Sequence, residues 1–202
     1  MEGLFFYWIS WMVWVFFTFL YRKDRFRIFM SAWILLLIIC SEINATFVGY
    51  QVNMAVIVSF CGGMILHARS SRWLYHNFCT LCLVFSYTGI LFWEMISPIW
   101  VFMPRLLMVP FLGVALLFFV CKTFRDRCAV WTLGVTTGEI LHTIILNSYG
   151  FSVGIGQLSF LDLMMVGISF NLLATLMVLV KRRVEIILQS IEEKLKMRWN
   201  HE

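Results

Sequence analysis

"IFMSAWILLLIICSEINATFVGYQVNMAVIVSFCGGMIL", Ile28 to Leu66, is the stretch on which the fold turns. As one helix it would be about 58 Å long at 1.5 Å per residue, against a bilayer hydrocarbon core of about 30 Å. A turn therefore lies in the mildly polar "CSEINATFVGYQVN", Cys40 to Asn53. Reading two crossings here instead of one raises the span count from six to seven. It also puts the two termini on opposite sides of the bilayer.

The rest of the chain supports a membrane reading. Of its 202 residues 61% are hydrophobic and 13% charged, with a mean hydropathy of +0.87, whereas an ordinary soluble domain is about 25% charged. No stretch is left over for a second, soluble domain. "MEGLFFYW" opens on an acid where a signal peptide has a basic region, so the first apolar run is expected to stay in the mature protein. The net charge of +5 does not point to nucleic acid, because the basic residues sit in short clusters beside apolar runs. Six cysteines, Cys40, Cys61, Cys79, Cys82, Cys121 and Cys128, fall within or at the edges of those runs, and free thiols in helices are expected.

Apolar runs broken by charge predict spans over residues 4 to 21, 28 to 45, 49 to 67, 76 to 96, 104 to 121, 128 to 147 and 160 to 180. The basic residues test this division independently. Arg22, Lys23, Arg25 and Arg27 follow the first span; Arg69 and Arg72 the third; Lys122, Arg125 and Arg127 the fifth. Lys181, Arg182, Arg183, Lys194, Lys196 and Arg198 follow the seventh. Fifteen of the sixteen basic residues thus fall in alternate connections, and Arg105 alone falls on the other side. Because cytoplasmic loops retain Lys and Arg, the expected fold is all-α: a polytopic bundle of seven spans, N-terminus outside and C-terminus inside. Trp73 and Trp131 are expected near inner boundaries, and Trp8, Trp93 and Trp100 near outer ones, where amphipathic rings prefer to sit.

Two domains follow: a transmembrane domain over residues 1 to 183 and a cytoplasmic tail over 184 to 202. In the tail, Val184, Leu188, Ile191 and Leu195 recur at helical spacing and Glu192 precedes Lys196 by four, which predicts an amphipathic helix. Its basic character favours anionic lipid headgroups as partner, ahead of dimerisation. Elsewhere the bilayer is the partner, with a homo-oligomer or another membrane protein left open. "SPIWVFMPR", Ser97 to Arg105, reads as an outer connection, and Pro110 as a kink in the fifth span. The glycine-rich "NSYGFSVGIGQLS", Asn147 to Ser159, is either an outer loop or a shallow re-entrant turn.

The sixth span, "WTLGVTTGEILHTIILN", Trp131 to Asn147, carries a carboxylate near its middle. At 100° per residue Thr132, Thr136, His142 and Thr143 fall within about 60° of Glu139, forming one polar stripe. Gly134 and Gly138 make a small-residue pair that admits a close neighbouring helix. A charge at mid-bilayer costs about 2.5 to 3.5 kcal/mol, and neutralising a glutamate at pH 7 about 3.7 kcal/mol. A neutral Glu139 bonded to a neighbour and an ionised one paired with His142 are therefore both admissible. Asp162, Glu94 and Arg105 are expected to share the outer half with this stripe. Two readings stand: a polar cavity open to the outside, conducting a proton, cation or small solute past Glu139 and His142, or a hydrogen bond that locks two helices together.

Sharper motifs do not hold. Glu139-x-x-His142 has the spacing of a di-iron bundle, but no second copy exists to complete it. Cys79-x-x-Cys82 has no thioredoxin-like setting. Asn44-Ala45-Thr46 fits a glycosylation sequon pressed against the membrane. No phosphate loop, nucleophile elbow or zincin motif occurs, so no catalytic residue, metal or cofactor is expected.

Seven spans with an outer N-terminus also match the outline of heptahelical receptors and of carriers built from two three-helix repeats. The carriers' Pro-Gln pairs are missing, and no lysine inside the seventh span could hold retinal. The opening "MEGLFFYWISWMVWVFFTFLYRKDRFR", together with the overall length, resembles the YphA family of small integral membrane proteins from spore-forming Bacillus-type bacteria. That resemblance implies a multi-pass protein of a bacterial plasma membrane and supplies no catalytic residues. The functional expectation is a small transporter-like or channel-like protein. The alternative is a non-catalytic scaffold or assembly factor acting through its basic loops and tail.

Overall fold

The computed structural model describes residues 2–47, 49–68, 70, 72–97 and 104–199, the side chains of 190, 191 and 193–199 excepted. Among the described residues seven helices carry the fold. They are α1 (Leu4–Val15, running on as a π-helical turn, Phe16–Leu20), α2 (Arg25–Cys40), α3 (Met54–Ala68), α4 (Trp73–Ile96), α5 (Arg105–Val120), α6 (Phe124–Ser148) and α7 (Leu158–Trp199). A chain in hydrocarbon must satisfy its backbone internally, and these apolar runs do so as helices. Among the described residues three are long and apolar enough to cross a bilayer: α4, α6 and the Leu158–Gln189 part of α7. Leu4–Leu20, Met54–Ala68 and Arg105–Val120 are shorter apolar helices.

The turn required between Ile28 and Leu66 is a β-hairpin, β1 (Asn44–Phe47) and β2 (Tyr50–Asn53), so the fold is not wholly helical. Asn44 pairs with Asn53, and Phe47 with Tyr50. Between the strands Gly49 takes φ +85°, a conformation glycine adopts without cost. Asn53 then starts α3, its Oδ1 accepting the Ala55 amide at 2.9 Å while its Nδ2 donates to the Ser41 carbonyl at 2.7 Å. The stretch after α6 folds back onto this hairpin. Ile155 donates its amide to the Gln51 carbonyl at 2.8 Å, and its own carbonyl accepts the Asn53 amide at 3.0 Å. The segment between α6 and α7 thus has its backbone bonded to β2.

α6 is the centre of the bundle, packed along α4 and α3, with α7 and α5 on its remaining side; α1 and α5 lie against α7, and α2 against α3. Connections gather at two ends. At one, Gly3 meets Asp162, Tyr7 meets Ser41 and Glu42, and the 147–157 segment meets the hairpin. At the other, the Tyr75 hydroxyl reaches the Val120 carbonyl at 3.4 Å and Arg127 reaches Thr175.

Trp131, expected near an inner boundary, is fully buried within the bundle. Its indole donates to the Met164 carbonyl at 3.1 Å and fills a slot between two glycines. A Cβ on Gly113 would stand 2.3 Å from the indole, and one on Gly167 2.1 Å. Arg127, placed by sequence after the fifth span, lies in α6 and is buried, its guanidinium 3.7 Å over the Phe118 ring and 2.9 Å from Thr175 Oγ1. α5 continues through Pro110. α7 runs as one helix of 42 residues, about 63 Å at 1.5 Å per residue, through the expected boundary at 183. The connection read at 97–105 and the rings of Pro98 and Trp100 lie mostly outside the described residues, as does Arg69.

Candidate functional site

The glycine pair of α6 faces α4. Gly134 lies against Leu83, and Gly138 against Tyr87, where a Cβ would come within 2.7 Å of the ring. Because residue 138 has no side chain, the Tyr87 ring passes close to α6 and its hydroxyl donates to Glu139 Oε2 at 2.8 Å. Thr88, next along α4, donates to the Gly138 carbonyl at 3.2 Å. Both members of the Tyr87–Glu139 pair are buried, at 1% and 6% exposure. A buried tyrosine hydroxyl or carboxyl without a partner is costly, so each stabilises the other's place in the core.

Two charges stand at the rim of this pair. Arg105, the first residue of α5, lies 4.0 Å from Glu94 near the end of α4, both about one-third exposed. The Arg105 guanidinium is also within electrostatic reach of Tyr87 and Glu139. α4, α5 and α6 therefore contribute to one cluster running from partly exposed charges to a buried carboxyl. His142 is beside it but not bonded to Glu139. Its ring packs on Phe92 at 4.9 Å, and its Nε2 has no partner among the described residues. Thr136 Oγ1 turns back to the Thr132 carbonyl at 2.6 Å, and Thr143 Oγ1, buried, has no partner among the described residues.

Asp162 stands apart. Its carboxylate accepts the Gly3 amide at 2.7 Å and the Phe6 amide at 2.6 Å, so it caps the first turn of α1 from the second turn of α7. Helix N-termini expose unpaired amides, and an anion there satisfies them. Tyr87 is the member of the cluster that sequence reading missed. A tyrosine in the middle of an apolar run, "VFSYTGI", was the available signal, since a buried phenol needs a partner.

Among the described residues no group of three or more His, Cys, Asp or Glu side chains could hold a metal ion. Cys79 is buried and Cys82 exposed, both free thiols. The cluster consists of a buried carboxyl with a phenol donor and an arginine nearby.

These features define an integral membrane protein built as a helical bundle around a central polar helix. The chain belongs to the YphA-like integral membrane protein family, whose model matches residues 2–197. It is 24% identical over 163 residues to "Uncharacterized protein YphA" of Bacillus subtilis (strain 168), a match covering 80% of this chain and 81% of that protein. No solved structure matches.

Proposed function

We propose that this is a multi-pass protein of a bacterial plasma membrane with seven spans, the hairpin end outside and the basic end inside. In this reading it works as a small transporter-like or channel-like conduit for protons or a small cation. The Tyr87–Glu139 bond, reached from Arg105 and Glu94, carries the reading. With both carboxylates ionised, the two acids and one arginine leave a net charge of −1. A buried excess charge is unfavourable, so the cluster favours taking up one proton or cation from the rim. Orientation follows the basic residues, fifteen of sixteen of which fall in alternate connections. Residues 1 to 183 then form the membrane domain. The region after Arg183 forms a cytoplasmic tail whose basic residues meet anionic headgroups.

The test is a proteoliposome assay with a pH-sensitive dye inside. The wild-type protein should dissipate an imposed proton gradient faster than empty vesicles, and Glu139→Gln should remove most of that rate at unchanged abundance. His142→Ala, beside the cluster, should slow it less. Wild-type vesicles no leakier than empty ones, or an unchanged rate in Glu139→Gln, overturns the proposal. The scaffold reading draws on α7, whose last 18 residues extend about 27 Å beyond Lys181. Removing residues 184 to 202 separates the two: a scaffold loses its location or partner, and a conduit keeps its flux.

A further inference from the structure

An open cavity lies away from the Glu139 cluster, at the hairpin end of the bundle. It is an open groove of about 530 Å³ between the start of β2 and the segment after α6, within the roughly 300–1,000 Å³ of small-molecule sites. Its frame is held by hydrogen bonds. The Asn147 side chain clasps Val153 at both backbone atoms, donating to its carbonyl at 3.0 Å and accepting its amide at 2.9 Å. The bonds from Ile155 to Gln51 and Asn53 tie the same segment to β2. Gly150, at φ +89° with no atom within 4 Å of a notional Cβ, keeps one wall low.

The lining chemistry is specific. Among the described residues no charged side chain lines the groove, so a phosphate, carboxylate or ammonium would enter without a counter-charge. Two aromatic rings do line it: Phe151, 55% exposed, and Tyr50, half-buried. The Gln51 amide and the Ser152 hydroxyl, both on exposed residues, join them. Flat apolar rings beside neutral donors and acceptors match a molecule with C–H faces and a rim of hydroxyls. From this juxtaposition we propose that the groove is a binding site for an uncharged saccharide. The bound sugar packs a ring face on Phe151, and its hydroxyls meet Gln51, Ser152 and the Tyr50 hydroxyl. The inference does not depend on any flux through Glu139. In the orientation proposed above, the sugar arrives from outside the cell.

The test uses the full chain purified in a detergent without a sugar headgroup, since a maltoside would compete. Saturation-transfer NMR and calorimetry are run with the trimer of β-1,4-linked N-acetylglucosamine, with maltotriose, and with acetyl-trialanine amide as a neutral peptide. Saturation should pass from the protein to at least one trisaccharide. Phe151→Ala and Gln51→Ala should each weaken that binding about tenfold or more, while Phe119→Ala, far from the groove on an exposed face of α5, binds as the wild type does. Folding of each variant is checked by its elution volume and helical circular dichroism. Failure of both sugars to receive saturation, binding unchanged in both groove variants, or binding of the peptide in place of the sugars overturns the proposal.

Discussion

Replacing Asp162 by alanine should destabilise this protein markedly. The carboxylate is buried and accepts two amides from the first turn of α1, Gly3 at 2.7 Å and Phe6 at 2.6 Å. Hydrogen bonds to a charged acceptor contribute about 1.5–3 kcal/mol each, and an anion at a helix N-terminus adds about 0.3–1 kcal/mol. Some of this returns when water reaches the freed amides. The expected net loss is about 3–5 kcal/mol, more than a hundredfold in the folding equilibrium. Asp162→Asn keeps one carbonyl acceptor but turns its amide nitrogen toward a donor, and should lose about half as much. The assay is unfolding of the purified protein, by heat and by titration with sodium dodecyl sulfate, followed by circular dichroism. Because both carboxylate oxygens are committed to α1, Asp162→Asn should leave any proton flux of the folded protein intact, unlike Glu139→Gln. Stability of Asp162→Ala within about 0.5 kcal/mol of wild type would refute the capping argument.

Other perturbations test the core and the cluster. Gly167→Ala places a methyl 2.1 Å from the rigid indole of Trp131, and should destabilise by about 1–3 kcal/mol through overpacking; the same unfolding assay reads it, and a neutral result would mean the slot is loose. Tyr87→Phe removes the donor to Glu139 and should cost about 1–3 kcal/mol by stranding the carboxyl. In a double-mutant cycle with Glu139→Gln the two changes should be non-additive by at least about 0.5 kcal/mol, and strict additivity would separate the residues energetically.

Much of the architecture was legible in the chain because burial in lipid is decided locally. Runs of apolar residues cost little to insert and charges cost much, so helix positions followed from run lengths: α4, expected over 76 to 96, is Trp73–Ile96, and α5, expected over 104 to 121, is Arg105–Val120. The required break between Cys40 and Asn53 was legible from length alone, but not that it is a hairpin. The alternation in Ala45, Thr46, Phe47 and Tyr50, Gln51, Val52 is too short to compete with the apolar runs on either side.

By itself, then, the sequence determined that this is a helical protein of the membrane and that Glu139 lies on a polar stripe of its sixth helix, because hydropathy and helical periodicity are properties of neighbours along the chain. Tertiary structure alone decided the partners. Glu139 bonds Tyr87 and not His142, Asp162 caps a helix at the far end of the sequence, and Trp131 is locked between Gly113 and Gly167 in the core. Each of these depends on which helix lies against which, at a depth set by glycines that admit a ring. No periodicity within one segment encodes the identity of the segment packed beside it.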